Sequence, residues 1–124
     1  MLVLVFIGGL LGTWVRISLP TLSPGLPGGP GTASLLPNGI ACLLIGALHA
    51  ARSRLPGYVP ALGMVGFCGG LSTFSTFALD IATGLSVGLT AMVIGSVLFE
   101  LVLGVALVLA GQGLVQRFLQ PRLR

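Results

Sequence analysis

The segment Gly66–Asp80, with the sequence GFCGGLSTFSTFALD, places a glycine pair, a row of Ser and Thr side chains and two phenylalanines within one apolar run. The run extends from about Tyr58 to about Thr83, and a membrane helix needs about 20 residues to cross a bilayer. Glycine costs about 1 kcal/mol relative to alanine inside a helix, so an uninterrupted helix is disfavoured here. We therefore expect the helix to break at the Gly69–Gly70 pair, near the middle of the membrane.

Three further apolar runs have a length suited to spanning a bilayer. They cover about Met1–Leu19, Leu35–Ala51 and Leu85–Leu109. The 124 residues are 55% hydrophobic and only 6% charged, whereas soluble domains carry about 25% charged residues. We predict an all-α integral membrane protein with one four-helix domain over residues 1–111 and a basic cytoplasmic tail over residues 112–124.

The arginines are distributed unevenly between the two sides of the membrane. With four crossings, five of the six lie on the side of the N-terminus, and only Arg16 lies toward the other. The five are Arg52, Arg54, Arg117, Arg122 and Arg124. Positive loops favour the cytoplasm, so we expect a cell-membrane protein with both termini cytoplasmic. The net charge of +4 then indicates topology and attraction to anionic lipid, and no basic patch interleaved with aromatics predicts nucleic-acid binding.

The break in the third span carries the candidate chemistry. Its polar and aromatic side chains are Ser72, Thr73, Phe74, Ser75, Thr76 and Phe77. Broken backbone at membrane depth is tolerated where it is buried in protein or lines a polar cavity, and its carbonyls can bind cations. The hydroxyls can donate to an anion, and the phenyl rings offer their positive edges. The alternative is a kinked packing helix whose hydroxyls bond back to the preceding turn.

Arg16 gives an independent signal, because an arginine within a span is costly and normally faces a cavity or a partner. It predicts an electropositive vestibule that concentrates anions. The alternative is an interfacial arginine whose charged end extends to the headgroups.

Three motifs, one on each of the first three spans, resemble the CrcB/Fluc fluoride-channel family. The third span resembles its GxxGGxTTFSTF pattern, with Ser72 in place of a Thr. GGLLGTWVR, at Gly8–Arg16, resembles GGxxGAxxR. NGIACLLIG, at Asn38–Gly46, resembles NxxGSFxxG, with Ala41 and Cys42 in place of Gly and Ser. The resemblance covers most of the chain.

This resemblance implies an antiparallel, dual-topology dimer of two oppositely inserted protomers that exports fluoride passively through two pathways. It also implies a structural sodium ion at the centre, held by backbone carbonyls at the positions of Gly69 and Ser72 in both protomers. The matching pore residues are Asn38, Phe74, Ser75, Thr76 and Phe77. Asp80 falls where the family has an acidic residue.

The fourth span departs from the family. If Gly104 is aligned with a family glycine, Glu100 stands where Ser is common and Ser96 where Tyr is common. An ionised carboxylate beside the path would repel fluoride, so either Glu100 is protonated or this protomer's fourth span does not line a working pore. The arginine asymmetry also disfavours insertion in both orientations. We therefore hypothesise a heterodimer with an oppositely oriented paralogue, and a non-conducting partner subunit stays open as an alternative.

A small four-helix multidrug or cation exporter is a further alternative. Such a transporter needs a membrane carboxylate, typically on its first helix, where this chain has Arg16; Glu100 is its best candidate here. No nucleophile–base–acid set and no metal-ligand spacing is present in the sequence, so we do not expect an enzyme.

Overall fold

The computed structural model describes residues 1–22 and 34–119, and the regular elements in these ranges are all helical. They are α1 (Leu2–Leu22), α2 (Leu35–Ala51), a 3₁₀ turn (Arg52–Arg54), a π-helix (Pro60–Phe67), α3 (Cys68–Leu71), α4 (Phe74–Ser86) and α5 (Thr90–Leu119). Four helical stretches of these residues are long and apolar enough to cross a membrane: Leu2–Leu19, Leu35–Arg54, Pro60–Ser86 and Thr90–Leu119. The predicted all-helical, four-span architecture is confirmed.

Two helices extend beyond the predicted spans. α1 continues from the predicted limit at Leu19 to Leu22. α5 begins at Thr90 and runs without interruption to Leu119, so it includes most of the segment predicted as a separate tail. Arg122 and Arg124 lie outside the described residues.

Glycines let α1 approach the first half of the third span at backbone distance. A Cβ added at Gly8 would overlap the carbonyl oxygen of Leu62, and one added at Gly70 would overlap the carbonyl oxygen of Gly9. Membrane helices lack a hydrophobic force between them, and close packing of small residues replaces it. The sequence spacing of glycines on these two spans therefore fixes which faces meet.

α2 packs against α5 in the same way. A Cβ at Gly46 would overlap the carbonyl oxygen of Val108, and a Cβ at Gly111 would overlap that of Leu43. These two contacts lie on opposite helices, so each helix offers a small residue to the backbone of the other.

The buried core lies where α1, α2 and α3 meet. Ala41, Cys68 and Leu71 form it, and partly buried aliphatic side chains of α1 and α2 pack around them. Both Cys42 and Cys68 are free thiols, in agreement with the absence of a CxxC pattern.

Among residues 1–22 and 34–119, α4 has few neighbours and packs mainly on α5, where the Val93 side chain lies against Gly84. The turn between α4 and α5 contains Gly88 with a φ of +80°, a left-handed conformation that favours glycine. The other faces of α4 are exposed, so they are free to contact lipid or a second protomer.

Candidate functional site

Two extended residues separate α3 from α4. Ser72 has φ/ψ of −70°/154° and Thr73 has −141°/112°. The sequence analysis placed the interruption at Gly69–Gly70, whereas the structure has both glycines inside α3. Gly70 is used for the close contact with α1 and stays helical. The chain leaves the helical conformation only at Ser72, and α4 begins at Phe74.

The extended segment is held from two other helices. The Thr73 backbone N–H donates to Asn38 Oδ1 on α2 at 2.8 Å. The Arg16 guanidinium, through Nη1 on α1, donates to the Ser72 carbonyl oxygen at 3.5 Å. The structure thus brings together two predicted site residues from separate spans, Asn38 and Arg16, at the single peptide group that joins Ser72 to Thr73.

The hydroxyls form one small network around Thr73, which is only 5% exposed. Its Oγ1 accepts from the Thr76 backbone N–H at 3.2 Å and donates to Thr76 Oγ1 at 2.9 Å. Ser75 Oγ lies 3.3 Å from the same oxygen. Thr73 is therefore the N-cap of α4. The sequence analysis included Thr73 among the hydroxyl side chains but not among the predicted pore residues. A Thr directly before an apolar helical run is the signal that could have identified it as a helix N-cap.

The phenyl rings of Phe74 and Phe77 lie beside this network. Their centroids are 6.2 Å apart and the ring planes are tilted by 45°. Phe74 is 80% exposed in the isolated chain, whereas Phe77 is partly buried. A tilted pair of this kind presents ring edges as well as faces, and edges are the positive part of the ring quadrupole.

A groove of about 610 Å³, defined here as the α2–α5 groove, runs from the extended segment along α2 and α5. Its lining includes five predicted site residues, namely Asn38, Ser72, Phe74, Phe77 and Glu100. Its remaining wall is apolar, apart from Thr73 and the Cys42 thiol. Such a passage suits an ion only where the few polar groups converge, at the end formed by Asn38 and the extended segment.

Other predicted site residues lie beside the groove rather than along it. Ser75 and Thr76 contact Thr73 and do not line the groove, and Gly69 is exposed on α3. Asp80 and Ser96 line a smaller cavity of about 10 Å³ between α4 and α5. Phe77 and Glu100 line both cavities.

The two membrane acids have different surroundings. Glu100 Oε1 accepts a hydrogen bond from Ser34 Oγ at 2.9 Å, and Ser34 is fully buried. Asp80 Oδ2 is buried and has no hydrogen-bond partner among the described residues. Sequence reasoning missed Ser34, whose one local signal is its position just before α2, where a helix N-cap is expected.

The described residues contain no cluster of His, Cys, Asp or Glu that could hold a metal ion. The backbone carbonyl oxygens at the end of α3 are oxygen atoms of the kind that hard cations bind. If the helix continued, the Thr73 N–H would donate to Gly69 O, but it donates to Asn38 instead. The carbonyls at the end of α3 therefore lack helical donors, and the negative end of the helix dipole lies there. This donor set fits a hard monovalent cation.

Comparison with known proteins identifies the family. Residues 3–112 match the family described as CrcB-like protein, Camphor Resistance (CrcB). A fluoride-specific ion channel FluC of Ruegeria pomeroyi is 42% identical over 115 residues, covering 89% of this chain and 86% of that protein. Proteins of the same name from Erwinia tasmaniensis and Nitrosomonas europaea are 39% and 36% identical. They cover 92% and 90% of this chain, and the matches span 94% and 87% of their own lengths.

Proposed function

The chain belongs to the CrcB-like family, and we propose on that premise that it is a protomer of a fluoride-specific ion channel of the cell membrane. The observation that carries the proposal is the extended Ser72–Thr73 segment within the membrane-spanning stretch Pro60–Ser86. Asn38 accepts the Thr73 N–H at this segment, and the Arg16 guanidinium lies 3.5 Å from the Ser72 carbonyl oxygen. Its relatives are named as channels for fluoride. The protein would therefore give passive fluoride efflux and fluoride resistance.

Asn38 supplies the hydrogen-bond donors that a small anion requires. Because Oδ1 accepts from Thr73 N–H, the orientation of the amide is set, and the NH₂ group is left to donate elsewhere. Asn38 lines the α2–α5 groove, together with Phe74 and Phe77. An anion that gives up hydration water there would meet amide protons and phenyl edges in a low-dielectric surrounding.

Arg16 contributes a positive charge at the same segment. It is partly buried, and its contact with Ser72 O is long, at 3.5 Å. The Ser72 carbonyl is uncharged, so this contact does not compensate the guanidinium charge. The role that fits it best is to raise the local concentration of anions at the entrance of the pathway.

We assign the carbonyl oxygens of Gly69 and Ser72 to a structural sodium ion between two protomers. Gly69 is exposed, and a Cβ added there would meet no atom within 4 Å. The Ser72 oxygen has a second lone pair besides the one used by Arg16. A sodium ion, when bound, supplies a positive charge that links the ends of the two α3 helices. Two carbonyl oxygens from one chain would occupy only some of the coordination positions of a hard cation, and the same two oxygens of a second protomer would add to the ligand set.

The second protomer would be inserted antiparallel to the first. α4 leaves most of its surface without a neighbour in the chain, and the exposed Phe74 ring begins this helix. The arginine asymmetry favours a paralogue of opposite orientation over a second copy as the partner. The oppositely inserted subunit would cover the exposed face of α4.

Fluoride efflux from vesicles tests the function. The chain is reconstituted alone and together with an oppositely oriented paralogue, and fluoride release is recorded without a proton gradient. Release in either preparation, with no chloride release under the same conditions, is the expected result. Cation movement that depends on a proton gradient would instead support the exporter, for which Asp80 and Glu100 are the available membrane acids. Flux that needs the paralogue, even when Glu100 is neutralised, would assign the chain as a non-conducting partner subunit.

A further inference from the structure

The Glu100 carboxyl group lies where the α2–α5 groove and the small α4–α5 cavity adjoin. Glu100 and Phe77 line both of them, and Asn38 and Thr73 line the groove near the extended segment. The small cavity, of about 10 Å³, has room for about one water molecule. The Glu100 side chain therefore lies on the wall that the groove shares with the cavity beside α4.

Ser34 holds this carboxyl group in place. The Ser34 hydroxyl is fully buried and donates to Glu100 Oε1 at 2.9 Å. Ser34 directly precedes α2, while Glu100 lies on α5, so the bond joins two helices that also pack closely elsewhere. The carboxyl group is thus a fixed part of the groove wall.

The charges around Glu100 do not neutralise it. α4 contributes Asp80, which has the same sign and lines the same small cavity. α2 contributes the uncharged Asn38 and the Cys42 thiol. Arg16 of α1 does not line either cavity, and its guanidinium donates to Ser72 O. In residues 1–22 and 34–119 neither acid forms an ion pair.

We propose that Glu100 decides whether an anion can use this groove: its negative charge closes the pathway of this protomer, and a neutral side chain at position 100 opens it. The inference rests on the proposed fluoride channel function. The rest of the polar end already suits an anion, with amide donors from Asn38 and phenyl edges from Phe77. The uncompensated negative charge of Glu100 is then the obstacle within the groove, because like charges repel strongly where the effective dielectric constant is low.

Neutralising substitutions provide a gain-of-function test in vesicles that contain this chain alone. Reconstitution from detergent inserts a protein without the orientation bias that acts in the cell, so two copies of the chain can pair antiparallel there. Glu100→Gln keeps the shape and removes the charge, and Glu100→Ser removes both. We expect both to raise fluoride efflux about tenfold or more. A tenfold change corresponds to about 1.4 kcal/mol in the barrier to ion movement, which is a small part of the repulsion between two unit charges in a low-dielectric site. Glu100→Asp retains a charge at this position and is expected to retain the block. Size-exclusion profiles in detergent establish that each variant is folded. If the Glu100→Gln variant does not fold, the Glu100→Ser variant takes its place in the test.

The two proposals fail in different ways. If wild-type protein alone already releases fluoride as fast as the Gln and Ser variants, the charge barrier is wrong and the channel function stands. If no form of the chain releases fluoride, either alone or with an oppositely oriented paralogue, the channel function is wrong and the charge barrier with it. If the Asp variant conducts as fast as the Gln variant, side-chain length rather than charge closes the groove, which also overturns the inference.

Discussion

Asn38 Oδ1 accepts the backbone N–H of Thr73 at 2.8 Å, although the two residues lie 35 positions apart in the chain. This bond gives Asn38 two separate roles. Its oxygen satisfies a buried N–H that the end of α3 leaves without a helical acceptor, and its NH₂ group remains available to the groove. Substitutions can separate the two roles because they reside on different atoms of one side chain.

In the Glu100→Gln background, in which we expect the groove of this protomer to conduct, Asn38→Asp should abolish fluoride efflux while it preserves the fold. A carboxylate oxygen still accepts the Thr73 N–H, but the donors for the anion are gone. Asn38→Ala removes both groups, and an unsatisfied buried N–H costs about 1–3 kcal/mol. Thermal unfolding in detergent should therefore separate the Ala variant from the Asp variant, and efflux assays should show both to be inactive. An Asp variant that conducts normally would show that the amide donors do not contact the ion.

The N-cap of α4 should depend on the Thr73 hydroxyl. Thr73→Val keeps the shape but loses the acceptor for Thr76 N–H, and loss of an N-cap costs about 0.5–2 kcal/mol. Thr73→Ser retains the oxygen and should unfold at close to the wild-type temperature. Ser75→Ala is a control, because Ser75 is exposed and its one described contact is the 3.3 Å approach to Thr73. Equal melting temperatures for the Val and Ser variants would argue against the cap.

Neighbouring glycines in α3 should respond in opposite directions to alanine. At Gly70 a Cβ would overlap the Gly9 backbone, and forcing atoms into a packed interface costs about 1–3 kcal/mol. At Gly69 a Cβ meets nothing within 4 Å, and alanine is favoured over glycine in a helix by about 1 kcal/mol. Thermal unfolding of the detergent-solubilised chain should show a lower midpoint for Gly70→Ala and an equal or higher one for Gly69→Ala. A drop for Gly69→Ala of similar size would mean that its surroundings are not open.

Sequence reasoning identified the four spans because hydropathy and bilayer thickness determine them directly. It placed the interruption too early, at Gly69–Gly70, because glycine pairs have two uses in membrane helices. Here Gly70 permits the approach of α1, and the extended residues Ser72 and Thr73 follow. Their position depends on a contact with Asn38 on another helix, which no local pattern encodes.

The candidate site was predictable as a set of residue types and motifs but not as an arrangement. Asn38, Arg16 and Phe77 were identified from their motifs, and the structure brings them to one segment or groove. The Ser34–Glu100 hydrogen bond joins residues 66 positions apart, so the sequence alone gave no reason to pair them. Glu100 was recognisable as an acid in an apolar helix and as a departure from the usual Ser of the family, but neither signal indicated its contact with Ser34.

In the Glu100→Gln background, in which we expect the groove to conduct, Arg16→Gln should reduce fluoride flux mostly at low ionic strength. The charge acts through space on anions near the entrance, and salt shortens its range from about 30 Å at 0.01 M to about 3 Å at 1 M. Its hydrogen bond to Ser72 O, at 3.5 Å, is too long to contribute much to stability. Arg16→Lys keeps the charge and should stay close to the wild type at both salt concentrations. A reduction for Gln that is the same at low and high salt would point to a structural role for Arg16 instead.

The turn after α2 and the end of α5 should both face the cytoplasm in every molecule. Arg54 Nη2 donates to the Leu119 carbonyl oxygen at 2.8 Å, which joins the turn after α2 to the C-terminal end of α5. With Arg52 and Arg117 also at this end, the positive charge favours one orientation. A tag at the C-terminus should be inaccessible to an impermeant reagent in intact cells and accessible after lysis. An equal mixture of both orientations would contradict the paralogue hypothesis, because a single sequence inserted both ways could form the antiparallel dimer by itself.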